Sequence, residues 1–205
     1  MKCVKIYPSS INDRFITEAV KELQAGNIII YPTDSVYALG CNALSTPAID
    51  KLCQAKGINP IKETLAINCA DISQASEYAK INNRAFRLLK ANLPGPFTFV
   101  LPAASSLPKA FKGRRTVGVR IPSNPIATAL AKELGNPILT TSLPLVNDAT
   151  LDDYARPESI ALFLDGMASM MIDGGESGSV LSTVVDLTDS SSPQIIRQGA
   201  GQLTE

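Results

Sequence analysis

Histidine is absent from all 205 residues, and so is tryptophan. The first absence removes every imidazole general base, the Ser-His-Asp and Cys-His nucleophile systems, and a common zinc ligand. The four cysteines, Cys3, Cys41, Cys53 and Cys69, form no CxxC pair. They read as small buried hydrophobes in a reducing compartment, not as a disulfide framework or a metal site. Phenylalanine and tyrosine together number 11 (6 and 5), a thin supply for a platform that stacks single-stranded bases. No apolar run approaches the ~20 residues of a membrane span. No apolar core follows Met1-Lys2-Cys3-Val4-Lys5 as it would in a signal peptide, so a cytoplasmic location is expected. GxxxxGK[ST] and GxGxxG are both missing, which excludes the two familiar glycine-rich phosphate loops. An enzyme with this inventory works through carboxylates, hydroxyls, lysine and arginine, a metal ion, or positioning alone.

Charge is balanced in total, with 19 basic and 19 acidic residues, but it is segregated along the chain. No Asp or Glu occurs between Tyr78 and Lys132, a stretch holding Lys80, Arg84, Arg87, Lys90, Lys109, Lys112, Arg114, Arg115 and Arg120. From Val146 onward the balance reverses, with only Arg156 and Arg197 set against ten carboxylate residues. A basic middle of this kind draws phosphate or polyanion, unless it is no more than a solvated basic face.

Helical periodicity marks 12–25, with Phe15, Ile16, Ala19, Val20 and Leu23 on one face and Gly26 at the end. Pro47 to Lys56 follows, with Thr46 as cap. Ser73 and Asn83 are expected to cap two further helices. Pro125 opens another behind Asn124, closed by Gly135, and a last helix spans 157–164. Extended stretches are predicted at 28–31, 36–41, 65–69, 97–101, 117–121, 138–141, 170–172, 183–187 and 194–196. The alternation predicts an α/β (α+β) fold, a single layered domain over residues 1–205 with a twisted mixed sheet of about seven strands flanked by helices.

Small polar or basic residues recur at the strand ends: Thr33-Asp34-Ser35, Thr140-Thr141-Ser142, Ser182-Thr183, and Arg120 on an apolar strand. Thr98, between Phe97 and Phe99, faces away from both rings. Ligands of α/β sheets bind where strand ends open into a crevice, and hydroxyls there bond to carboxylate or phosphate without adding charge. Each cluster taken singly is also what a turn requires. Lys56 and Lys62 flank the turn Gly57-Ile58-Asn59-Pro60, where they serve either a helix C-terminus or a phosphate clamp. Gly174-Gly175-Glu176-Ser177-Gly178 reads as a flexible connection.

The stretch Tyr31-Pro32-Thr33-Asp34-Ser35-Val36-Tyr37-Ala38-Leu39-Gly40 resembles the PTDTVYGLG signature of YrdC-like threonylcarbamoyl-AMP synthases. In matching order follow Pro94-Gly95-Pro96-Phe97-Thr98, Val117-Gly118-Val119-Arg120-Ile121-Pro122, Thr140-Thr141-Ser142, Ser182-Thr183-Val184-Val185-Asp186-Leu187 and Ile196-Arg197-Gln198-Gly199. Arg115-Thr116-Val117-Gly118, Arg120-Ile121-Pro122-Ser123-Asn124-Pro125 and Thr141-Ser142-Leu143 place the similarity nearest the YciO branch.

That resemblance implies a concave basic cavity and condensation of L-threonine, bicarbonate and ATP, with Mg2+, to threonylcarbamoyl-AMP and pyrophosphate. The product would serve transfer-RNA modification through a downstream threonylcarbamoyl-transferase. By position it implies Lys56, Thr33 and Arg120 in catalysis, Thr33, Lys62, Arg120 and Thr141 on the small substrate, and Lys56, Thr98, Ser142, Ser182 and Arg197 on the nucleotide. No protein ligand for the metal is identified. Two motif positions depart from the pattern. The family's KxR reads Lys56-Gly57-Ile58 here, and its SxN reads Ser142-Leu143-Pro144. The alternative is a non-catalytic protein that binds tRNA or double-stranded RNA through the same basic cavity, with Lys109, Lys112, Arg114 and Arg115 as contacts.

Overall fold

The structure is a computed structural model that describes residues 1–59, 65–107, 111 and 115–204. Helix α1 (Asp13–Gln24) starts behind Asn12, whose side chain accepts from the Arg14 N–H, and buries Ile16, Ala19, Val20 and Leu23. Helix α2 (Thr46–Lys56) is capped by Ser45, not Thr46, and closes on Gly57 at φ 73°. Helix α3 (Ile72–Tyr78) caps on Asp71 instead of Ser73, and α4 (Asn83–Asn92) on Asn82 instead of Asn83. In all three the cap is the residue whose backbone is still extended while its side chain already reaches N–H groups of the first turn. Helix α5 (Pro125–Leu134) keeps the expected Asn124 cap and Gly135 stop, and α6 (Pro157–Phe163) follows a 3-10 turn at Asp153–Ala155.

The strands are β1 (Lys2–Lys5), β2 (Ile29–Tyr31), β3 (Ala38–Asn42), β4 (Ala66–Asn68), β5 (Phe97–Pro102), β6 (Thr116–Arg120), β7 (Ile138–Ser142), β8 (Met170–Asp173), β9 (Thr183–Asp186) and β10 (Gln194–Arg197). They form one mixed sheet in the order β1-β8-β2-β3-β7-β4-β6-β5-β9-β10, so ten strands replace the expected seven or so. The strand most readily missed is β1, an edge strand of four residues in which only Val4 is buried.

Both faces of β2 are covered, which is why 28–31 is uninterruptedly apolar. Ile28 and Ile30 join a large core with α2, α3, α4 and α6 on one side of the sheet. Ile29 and Tyr31 join a second core built on the other side by α1 and α5. That second core takes its strand residues from β1, β8, β2, β3 and the start of β7 only. Helices therefore cover half of this face. The other half, across β4, β6, β5 and β9, carries Ala66, Gly118 and Thr98 beside the valines Val100 and Val184.

The uncovered half must also be concave. Strands β8 and β9 stand seven places apart, about 34 Å in a flat sheet at ~4.8 Å per strand. The segment joining them, 174–182, reaches that far only when nearly straight, at ~3.4 Å per residue. It is not straight: the Gly174 N–H donates to the Tyr37 hydroxyl, which donates to the Gly175 carbonyl. Only a curled sheet brings the two strands within reach. No helix among the described residues is long and apolar enough to cross a membrane.

The far end of the hollow is locked by the segment after β10. Ala200 N–H donates to the Leu181 carbonyl at 2.9 Å, and Gly199 N–H to Thr183 Oγ1 at 2.9 Å. A Cβ on Gly199 would lie 2.1 Å from the Leu181 carbonyl oxygen, a backbone atom with nowhere to go. Gly199→Ala is expected to destabilise the fold by about 2 kcal/mol or more in urea unfolding. An unchanged midpoint would contradict this packing.

Candidate functional site

The uncovered half of the sheet is the floor of an open cavity of about 200 Å3. Its wall collects Ser35 after β2, Thr98 on β5, Arg120 on β6, Thr140, Thr141 and Ser142 on β7, Ser182 before β9, and Arg197 on β10. Six residues singled out in the sequence thus meet here: Thr98, Arg120, Thr141, Ser142, Ser182 and Arg197. Apolar side chains Leu52, Ile58, Leu65, Val100 and Leu181 fill the rest of the wall.

Each cation has a defined seat. Arg120 sits where β6 ends, and its Nη2 donates to Asp34 Oδ1 at 3.3 Å and to Ser35 Oγ at 3.1 Å. Strands β2 and β6 are four places apart, about 19 Å in a flat sheet, so this tie exists only because the sheet curls and 32–36 folds over its open face. Asp34 is fixed in turn, since its Oδ2 accepts the Ser123 N–H at 2.7 Å. Arg197 donates through Nη2 and Nε to the Ser182 carbonyl at 2.8 and 3.2 Å. No salt bridge to Arg197 exists among the described residues, and partial burial, then the nearby Arg120 charge, lower its pKa. Two guanidinium groups thus share one hollow with one carboxylate between them. Lys56 is not one of the wall residues, but its Nζ donates to Ser142 Oγ, which is, at 3.2 Å and to the Leu143 carbonyl at 2.9 Å. Thr98 and Ser182 pair their hydroxyls at 3.0 Å.

Thr33 lies behind the wall, not on it. Its hydroxyl donates to the Val36 carbonyl at 2.6 Å and accepts the Ser35 N–H at 3.2 Å, closing the turn that presents Ser35 to the cavity. The polar interruption between two apolar strands is therefore a turn and a site together, with Thr33 and Asp34 holding and Ser35 facing inward. Lys62, Lys109, Lys112 and Arg114 lie outside the described residues. Arg115 is exposed and is not on the cavity wall. Three residues that matter here were not assigned roles from the sequence: Asp34, Ser35 and Thr140. A signal existed for all three, because they stand inside the hydroxyl clusters.

Asp34 and Arg120 are 6% and 10% exposed at their side chains, so removing the carboxylate strands a buried cation beside a second one. Asp34→Ala is expected to cost about 3 kcal/mol in urea unfolding, and Asp34→Asn less, because the amide keeps an acceptor for Ser123 N–H. Equal and small effects would show that the pair does not hold the loop.

Comparison with known proteins agrees with this architecture. Residues 21–199 match the family model Sua5_yciO_yrdC, described as "Telomere recombination". The chain is 38% identical over 200 residues to the protein YciO of Escherichia coli K12, covering 97% of this chain and 95% of that one. The crystal structure of E. coli YciO superposes with a TM-score of 0.88 over 98% of both chains, at 37% identity. A threonylcarbamoyl-AMP synthase of Bacillus subtilis is 35% identical over 194 residues, 93% of this chain but 55% of its own length. The Pyrococcus abyssi Sua5 structure complexed with L-threonine aligns at TM-score 0.82 and 32% identity, over 97% of this chain and 58% of that one. The chain belongs to the Sua5/YciO/YrdC family.

Proposed function

We propose that the chain is a threonylcarbamoyl-AMP synthase-like nucleotidyltransferase, joining an amino acid, threonine by preference, to bicarbonate and the adenylate of ATP. The observation that carries the reading is the meeting of Arg120, Arg197 and six hydroxyl side chains from four strands around one concave cavity. The amine adds to bicarbonate with loss of water to give a carbamate, whose oxygen attacks the α-phosphorus as the bond to the leaving pyrophosphate breaks. This route needs no covalent intermediate and no imidazole. It needs reactants held in line and charge on phosphate oxygens met by fixed donors. Arg197 with Ser182 and Thr98 suits the nucleotide, and Lys56 with Ser142 suits its phosphates. Ser35 and Arg120 suit the amino acid, with Thr33 supporting Ser35 from behind. The printed names of the synthase relatives and the threonine complex of P. abyssi Sua5 favour the same reaction class.

No group of three or more Cys, Asp or Glu side chains among the described residues forms a metal cage. Mg2+ would enter as a companion of the ATP phosphates, offsetting their charge. Ile58 lines the cavity at the position where the synthase pattern has an arginine, and Pro144 follows Ser142 where it has an asparagine. With one bidentate phosphate donor fewer, slow turnover is expected. Duplex RNA is a poorer match for the hollow itself, because its recognition spans successive minor grooves and calls for an outer surface.

Pyrophosphate release from ATP is expected to require both threonine and bicarbonate, and Lys56→Met is expected to lower kcat/KM about 100-fold. Release that ignores threonine, or none at all alongside salt-sensitive RNA binding, would remove this reading.

A further inference from the structure

Away from the cavity, apolar surface is exposed in two places that carry opposite charge. The first is a groove between the start of α3, the end of α4 and the loop after β6. Ile72, Phe86, Leu93, Pro94 and Ile121 line it, and Phe86 is 44% exposed. Through Pro94 the groove continues past Pro122, Pro125 and Ala129 onto α5. Its lysines, Lys90 and Lys132, have no salt bridge among the described residues. Its one carboxylate, Asp71, is occupied as the α3 cap and accepts the Gln74 N–H at 2.8 Å. Thr128 Oγ1 is occupied as well, by the Pro122 and Asn124 carbonyls. A small-molecule site fixes its ligand with convergent polar groups, and this groove keeps few of them free. Three prolines make it stiff, so little conformational entropy is lost when another surface packs there.

The second place is α6. Leu162 is 78% exposed, more than any other large apolar side chain among the described residues. Near it in sequence stand Asp152, Asp153, Glu158 and Asp165, against Arg156 alone. Arg156 pairs with Asp153 at 3.8 Å, and the Met1 amine pairs with Asp165 at 2.7 Å. Asp152 and Glu158 are exposed and have no salt bridge among the described residues. Glu158 precedes Leu162 by one helical turn, so the two share the outer face of α6.

An exposed leucine among carboxylates is the complement of an apolar groove held between lysines. Both halves belong to this chain, and its formal net charge of zero leaves no overall repulsion between copies. Helices α3, α4 and α6 pack on the same side of the sheet, so the groove wall and α6 can meet one partner. Two copies that exchange the contact satisfy both patches at once, the arrangement of a two-fold dimer.

We propose that α6 of a second copy docks in the groove between α3, α4 and α5, with Leu162 on its apolar floor and Glu158 facing Lys90 and Lys132. The segregation of charge along the chain then has a use, since the basic middle of one copy meets the acidic end of the other. None of these side chains lines the cavity, so the contact stands apart from the reaction proposed above.

Sedimentation velocity on the full chain tests the contact. The unaltered chain is expected to associate with a Kd of ~10 μM, and the association should weaken as salt rises. Leu162→Asp places a carboxylate on the apolar floor and should weaken association at least tenfold, with the circular dichroism spectrum unchanged because the position faces solvent. Lys90→Glu with Lys132→Glu should weaken it likewise, and adding Glu158→Lys to that pair should restore it. A chain still monomeric at ~500 μM, an oligomer indifferent to Leu162→Asp, or a charge exchange that restores nothing would overturn the proposal. Should a variant fail to fold, the unaltered chain still decides, because a monomer or a salt-indifferent oligomer contradicts the contact.

Discussion

The fold depends on a sheet whose second face is only half covered. Helices α1 and α5 supply apolar side chains for β1, β8, β2 and β3, and no helix among the described residues packs over β4, β6, β5 and β9 on that face. An exposed sheet face of that width would ordinarily be a liability. Here the curl imposed by the short 174–182 connection turns it inward, and small residues at Ala66, Gly118 and Thr98 leave room above the floor. A Cβ on Gly118 would come within 3.1 Å of both Ala66 Cβ and Thr98 Cγ2, so the floor is already as close as backbone and side chains permit.

Charge then gives the hollow its chemistry. The carboxylate of Asp34 positions Arg120 without cancelling the cations, because it also answers the Ser123 N–H. Arg197 faces the same space and, among the described residues, donates to Ser182 acceptors only. An arrangement that leaves two guanidinium groups near each other is costly when empty and favourable when an anion arrives, the usual logic of an oxyanion or phosphate site. The chain's net charge of zero hides this completely, since the acidic residues are spent elsewhere, on surface turns and caps such as Asp153 and Asp189.

Much of this was legible in the sequence. The apolar period placed α1, caps, prolines and glycines pointed to the other five described helices, and every predicted strand formed. Hydroxyls recurring at strand ends pointed to the cavity wall at Thr98, Thr141, Ser142 and Ser182. What stayed hidden depended on direction and on long-range pairing. Whether Thr33 or Ser35 faces inward is set by a turn closed through Thr33 Oγ1, and both residues offer the same functional group. The edge strand β1 shows little alternation because its partner β8 protects it from one side alone.

The central claim is that the concave half-face is a seat for a nucleotide beside a smaller reactant. A crystal structure of the chain with a non-hydrolysable ATP analogue and threonine tests it most directly. The account predicts analogue density against Arg197, Ser182 and Thr98, with the amino acid at Ser35 and Arg120. An empty cavity at saturating ligand, or the analogue bound instead in the groove of Arg84 and Arg87 on α4, would contradict it.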